Sequence, residues 1–192
     1  MITTSRLVAK NGVDIAIRSL KHLPNTVKFA VLGIGPDEAR LRQLAERLGL
    51  SDRVIFLGYI EMKEIPKYLK ISDGFVRVSR SEGMGNSFVE AMAAGVPVVA
   101  TPVGGITDFL FDPEHNPDKE PTGLFASVED PKDTARAIRA FLEDRELRKR
   151  CVANAKRMVA EKYDWNLIAK NMRERVFGAL FQGERTTYKA RP

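Results

Sequence analysis

Residues 74–106 read GFVRVSRSEGMGNSFVEAMAAGVPVVATPVGGI. GFVRVS (74–79) and VPVVAT (96–101) are short, β-rich and bounded by turn residues, the pattern of strands. Between them NSFVEAMAAG opens at a capping Asn86 or Ser87 and closes at Gly95, the punctuation of a helix. A strand, a turn, a helix and a strand within 33 residues form a βαβ unit, whose two strands run parallel. Core packing accounts for its valines and alanines. It does not account for Glu82, set in the turn eight residues before Glu90, or for the glycines, the pair Gly104–Gly105 among them.

The alternation extends outward. ITTSRLV (2–8), VKFAVLG (27–33) and RVIFLG (53–58) have the same strand character, and GLFASV (123–128) is a weaker sixth. VDIAIRSLKHL puts Val13, Ile17 and Leu20 on one helical face. PDEARLRQLAERLG starts at a proline with acids and stops at Gly49, and EIPKYLKIS is a shorter helix with Pro66 near its start. Apolar strands buried on both faces and separated by helices predict a Rossmann-like α/β fold. It would be a parallel sheet of about six strands, wound with right-handed crossovers and flanked by helices. Strand order is not readable. Past residue 130 the pattern is helical only: PKDTARAIRAFLED, RELRKRCVANAKRMVAEKY and DWNLIAKNMRERVFGALF. The division is therefore a core of about 1–130, C-terminal helices over about 131–182 with Trp165 anchoring the last, and a basic tail at 183–192. DPEHNPDKEPTG (112–123) is the longest loop.

The composition, 44% hydrophobic and 29% charged over 192 residues, provides for one domain with a proper core. No apolar run approaches the roughly 20 residues that span a bilayer, and MITTSRLVAKNG lacks a signal-peptide pattern. The lone Cys151 excludes an internal disulfide, and a cytoplasmic setting is expected. The net charge of +6 suits an anionic partner, although most basic residues alternate with acids on helix faces. Nucleic acid is not that partner, because the aromatics are not interleaved with the basic residues.

Ligands of open parallel sheets bind outside the carboxyl ends of the strands, at helix N-termini. VLGIGPDEA resembles a dinucleotide fingerprint only in part, since Glu38 stands where the third glycine belongs; a tight turn at Gly33 and Gly35 is what it retains. In the 74–106 unit, Gly83 and Gly85 allow backbone to bend closely around a ligand, and Asn86 and Ser87 open a helix whose free N–H groups attract anions. Two carboxylates, one in the turn and one on the helix, suit a ligand with hydroxyls on either side of a phosphate group. The residues alone leave the alternative open, with Glu90 a surface residue and Glu82 a helix-start acid.

The segment EGMGNSFVEAMAAGVPVVATPVGGI resembles the E-x7-E region of retaining GT-B glycosyltransferases, specifically glycosyltransferase family 4. SRLVAKNGVDIAI is similar to that family's G-R-L-x-x-x-K-G-x-D opening, and VLGIGPDEARLRQLAERLGLSDRVIFLGYI to its next strand–helix–strand unit. TGLFASVEDPKDTARAI and NAKRMVAEKYDW match in order, so the likeness covers roughly residues 5 to 170. It implies the C-terminal, donor-binding half of a two-domain enzyme whose N-terminal acceptor domain is absent. It implies Glu90 on the nucleotide's ribose and Glu82 on the donor sugar, with backbone from Gly83 through Met84, Gly85 and Asn86 to Ser87 along sugar and diphosphate. Arg6 and the opening lysine would neutralise the diphosphate, Gly33 would leave room beside it, and Tyr59 and Ile60 would lie near the base. Gly104 and Gly105 would let a further loop approach. No metal and no cofactor is implied; the donor would be a UDP- or GDP-linked sugar and the acceptor a glycan or lipid-linked glycan, with the parent peripheral to the inner membrane face.

Two departures stand out. The family lysine falls on Asn11, with Lys10 one place early, and the glycine before the arginine is Ser5. Asparagine hydrogen-bonds a phosphate but brings no charge, so Lys10 swinging in, together with a larger share for Arg6, is the expectation. Val78 replaces a common proline between Arg77 and Arg80; either arginine suits the phosphates, and a solvated Arg80 is the preferred reading. Bland readings cover His115 (exposed loop), His22 (helix end) and Cys151 (packing). The resulting expectation is transfer of a hexose from a nucleotide-sugar to an acceptor hydroxyl with retention, by a longer parent, this stretch alone being inactive. The alternatives are a stand-alone nucleotide-sugar binding module and a sugar-nucleotide epimerase, the latter disfavoured by E-x7-E followed by AMAAG.

Overall fold

The computed structural model describes residues 1–178. Six strands form one parallel sheet: β1 (Ile2–Thr4), β2 (Phe29–Leu32), β3 (Val54–Gly58), β4 (Phe75–Arg77), β5 (Val98–Ala100) and β6 (Leu124–Phe125). Their order is β3-β2-β1-β4-β5-β6. The chain winds outward from β1 to one edge, then returns to start again at β4. The expectation of a parallel sheet of about six strands flanked by helices holds, and the order supplies what the sequence could not: a reversal point between β1 and β4.

The helices are α1 (Val13–Ser19), α2 (Glu38–Arg47), α3 (Ile65–Lys70), α4 (Asn86–Ala93), α5 (Pro131–Glu143), α6 (Arg145–Lys162) and α7 (Trp165–Asn171), the last running on as a π-helical stretch at Met172–Phe177. Successive strand residues point to opposite faces, and two cores result. Val31, Val76 and Val99 pack under α1, α2 and α5 with Ile17, Leu41 and Phe141. Ile2, Phe75 and Val98 pack on the other face with Leu69 of α3, Phe88 and Met92 of α4, and Met158 of α6. α5 starts at Pro131 because the Asp130 carboxylate accepts from the Lys132 and Asp133 amides, at 2.8 and 3.0 Å. Cys151 is buried on α6, and burial pushes its thiol up to about 12, which suits packing and not nucleophilic attack.

Three expectations need correction. β3 is an edge strand, so Ile55 and Leu57 are 43% and 37% exposed instead of being covered on both faces. Trp165 does not anchor the last helix: it is 76% exposed, and no residue of α7 is buried. The neighbouring Tyr163 makes that attachment, its ring edge-on to Phe109 at 6.2 Å. Neither Asn86 nor Ser87 caps α4. The cap position is Gly85, with φ +70°, and no side chain covers the first amides. The expected end of the C-terminal helices and the tail at 183–192 lie outside the described residues.

Candidate functional site

A cleft of about 860 Å³ opens at the carboxyl ends of β1, β2 and β4, over the reversal point of the sheet. A smaller cavity of about 300 Å³ lies at the opposite, amino ends of the strands, lined by Asp73, Gly74 and Pro97. Loop backbones and helix N-termini converge only at the first of these, as the architecture requires of a ligand site.

The end of β1 lays Thr4, Ser5 and Arg6 along the floor. Ser5 N–H donates to Leu32 O and Leu7 N–H to Ile34 O, both at 3.0 Å, so the chain after β1 stays stitched to the chain after β2. Gly33 makes that approach possible. Its φ is +133°, and a Cβ there would lie 1.9 Å from Ser5 O. Arg6 is exposed and pairs with no acid among the described residues. Tyr59 and Ile60 close one side of the cleft, Ser87 and Glu90 of α4 the other. Glu90 is exposed on the face of α4 that meets the cleft.

Of the residues predicted from sequence, Arg6, Gly33, Tyr59, Ile60, Ser87 and Glu90 are therefore brought together as lining. Gly83, Met84, Gly85 and Asn86 form the turn that leads into α4, beside the lining and not in it. Gly104 and Gly105 brace this turn from behind: Gly105 N–H donates to Gly83 O at 3.0 Å, and a Cβ on Gly104 would lie 1.9 Å from Glu82 O. Lys10 is exposed on the 3-10 turn Ala9–Asn11. Asn11 is buried beneath the cleft, with Nδ2 donating to Arg6 O at 2.6 Å. Its amide is occupied inside the protein instead of facing a ligand.

The residue that sequence reasoning underrated is Arg77, which lines the cleft at the end of β4. The register that sets Ile2 opposite Phe75 brings Arg77 level with Thr4. Nη1 donates to Ser87 Oγ at 2.8 Å, and Nη2 to Asn11 Oδ1 at 3.0 Å and to Glu82 Oε2 at 2.5 Å. The Arg77 and Glu82 side chains are only 10% and 8% exposed. Burial lowers the guanidinium pKa and the Glu82 charge opposes the shift, so the group remains a cation in a poorly hydrated place. Its signal was present in GFVRVS, as a charge in a strand that is otherwise apolar on both faces. Thr4, Ser5 and Glu38 also line the cleft without having been singled out for it.

Arg80 is partly buried and engaged within the protein instead of standing free in solvent. It grips Asp14 with two hydrogen bonds of 2.9 Å and Glu129 with a third of 2.5 Å, tying α1 to the loops after β4 and β6. Burial raises the Asp14 carboxyl, but the hydrogen bonds and charge of Arg80 outweigh it and hold the group below the ordinary carboxylate range. Asp133 is depressed too, with Arg136 and the Ser127 amide overcoming burial. A depressed carboxyl binds its proton less readily folded than unfolded. Its stabilisation is complete above the unfolded value and lost as pH falls through the folded one. The melting temperature is thus expected to drop as pH falls below about 4, with Asp14→Asn flattening part of that slope and lowering stability at pH 7. Circular-dichroism melts across the range check this; an unchanged slope would assign acid sensitivity elsewhere.

No group of three or more His, Cys, Asp or Glu among the described residues is arranged to hold a metal ion, and no helix among them is long and apolar enough to cross a membrane.

Residues 1–158 match the sequence profile of the family described as glycosyl transferases group 1. A glycosyltransferase of Methanocaldococcus jannaschii is 32% identical over 172 residues, a match that covers 88% of this chain and 42% of the relative. Among solved structures, HepE of Anabaena in complex with UDP-glucose superposes with a TM-score of 0.82 at 27% identity, over 92% of this chain and 48% of that one. The C-terminal domain of a group 1 glycosyl transferase from Francisella tularensis superposes at 0.72 and 27% identity, over 85% of this chain and 86% of that domain. The chain thus spans less than half the length of the curated relative, and most of the excised domain. On profile, relatives and fold together, the chain belongs to the glycosyl transferases group 1 family, with the Rossmann-like fold of a GT-B C-terminal domain.

Proposed function

We propose that this chain is the donor-binding half of a retaining glycosyltransferase of family 4, which moves a hexose from a UDP- or GDP-linked donor to a hydroxyl of a glycan or lipid-linked glycan. The observation that carries the reading is the cleft over the β1/β4 reversal, where two arginines, an uncapped helix N-terminus and the Glu90 carboxylate meet. These groups are complementary to the parts of a nucleotide-sugar: Glu90 to ribose hydroxyls, Arg6 and the α4 amides to the diphosphate, and Glu82 to the sugar. Charge develops on the departing diphosphate as the glycosidic bond breaks, and fixed positive charge at that place favours the transition state. Lys10 would add to it from the exposed rim of the 3-10 turn. No metal or cofactor is needed in this scheme. The acceptor site and full turnover belong to an N-terminal domain of the longer parent, which works beside the membrane.

The test is a thermal-shift panel of wild type, Glu90→Ala and Arg6→Ala with UDP, GDP, ADP and CMP. A ligand at about 100 times its Kd stabilises by about 2.7 kcal/mol, which for a domain of this size raises Tm by roughly 5–10 °C. One base should give that shift in wild type and lose it in both variants. A flat response to all four nucleotides would sink the reading.

A further inference from the structure

The Glu82 carboxylate is turned away from the cleft that its proposed role requires it to serve. Oε2 accepts from Arg77 at 2.5 Å and from Ser79 Oγ at 3.3 Å, and Oε1 accepts from the Gly83 amide at 3.2 Å. With 8% of its side chain exposed, Glu82 is absent from the lining, whereas its partner Arg77 is part of it. The backbone of the turn is pinned by Gly104 and Gly105, so only a side-chain rotation can bring the carboxylate round.

Arg77 is built to permit that rotation. Its other two partners, Ser87 and Asn11, are neutral, so Glu82 is the one anion it meets among the described residues. Nε is buried with no hydrogen-bond partner among the described residues, leaving donor capacity unused beside the cleft. Breaking a buried ion pair without replacing the lost anion is strongly unfavourable, which holds the pair closed at rest. A diphosphate changes that balance, because it brings more charge than a carboxylate and offers oxygens to the planar fork of a guanidinium. The hydrogen bonds to Ser87 and Asn11 would then hold Arg77 in place while its anionic partner changes.

We propose that Arg77 and Glu82 form a latch that the donor itself opens: the diphosphate takes Arg77, and the released Glu82 rotates into the cleft to receive the sugar hydroxyls. The latch rests on the donor-site reading above and adds an order to it, with phosphate recognised first and sugar second. It also makes Arg77 the cation that position 11 lacks, supplied from β4 instead of from the 3-10 turn.

Calorimetric titrations with inorganic pyrophosphate, UDP, GDP, UDP-glucose and GDP-mannose, on wild type, Glu82→Gln and Arg77→Met, test it. Glutamine keeps the shape of Glu82 but removes the competing charge. Glu82→Gln should therefore bind pyrophosphate and the preferred nucleoside diphosphate more tightly, by about tenfold, and should lose the extra affinity that the attached sugar gives wild type. Arg77→Met should weaken pyrophosphate binding by more than about tenfold. If Arg77→Met proves unstable, the Glu82→Gln arm decides alone, because a Glu82 that merely supports Arg77 predicts weaker binding when it is changed. Unchanged or weaker diphosphate binding by Glu82→Gln overturns the latch while leaving the donor site standing. Wild type that binds none of the five ligands overturns the donor-site reading, and the latch with it.

Discussion

Gly33→Ala is expected to cost the domain about 4 kcal/mol or more, at the far end of single-substitution effects. The alanine Cβ would lie 1.9 Å from Ser5 O and 2.9 Å from Ser5 C, both backbone atoms that no rotamer change can move. Its φ of +133° adds strain, since side chains seldom adopt it. Relief requires the end of β1 to part from the end of β2, which breaks the Ser5–Leu32 hydrogen bond of 3.0 Å and disturbs the Gly33–Gly58 one of 2.7 Å. Gly49→Ala is the control. That glycine has φ +67° but nothing within 4 Å of its Cβ position, so only conformational strain is charged there, about 1–2 kcal/mol. Urea unfolding of the two variants separates crowding from strain. Equal losses would mean that the β1–β2 junction yields easily, and that Arg6 is less firmly placed than the geometry indicates.

The features legible in sequence were those fixed by local chemistry. The six strands and seven α-helices of the described residues follow from periodicity and punctuation, because each element's own residues decide it. Proline at the start of α5 and glycine after α2 are examples. The cleft was legible to the extent that backbone carries it, at Gly33 and Gly35. Strand order was not, since parallel strands pair across crossovers that leave no mark on either strand. Side-chain direction was lost for the same reason. Arg77 meets Asn11 from 66 residues away, and Arg80 meets Asp14 across the same separation, so neither arginine's role is written in its neighbours. Glu82 shows the limit most clearly. Its place in the turn was right, yet whether it faces the ligand or the protein depends on a guanidinium supplied by the strand before it. Trp165 fails differently. A large aromatic at a helix start suggests an anchor, but Asp164 already caps α7 through the Asn166 and Leu167 amides, and the indole is left outside.

The second large effect joins core to site. Phe88→Ala is expected to destabilise by about 3–5 kcal/mol, the usual range for emptying a fully buried aromatic position. The Phe88 ring is 0% exposed, meets Phe75 edge-on at 5.5 Å, and lies 6.2 Å from Phe109. These three rings join β4, α4 and the segment after β5, so a void at Phe88 has lining from every side and little freedom to collapse. Phe88→Leu refills most of it and should cost about 1–2 kcal/mol. The ring has a second office: the Arg77 guanidinium carbon stands 5.4 Å over its centroid. Removing the ring takes away the platform on which Arg77 rests between Ser87 and Asn11. Stability and nucleotide binding should therefore fall together in Phe88→Ala, and binding should stay weakened at temperatures where the variant is still folded. Equilibrium unfolding gives the first quantity, and titration well below the melting temperature the second. A loss of stability below about 1.5 kcal/mol would show that the core closes over the gap, with no jigsaw fit at this position. Full affinity in the folded variant would show that Ser87 and Asn11 hold Arg77 without the ring beneath it.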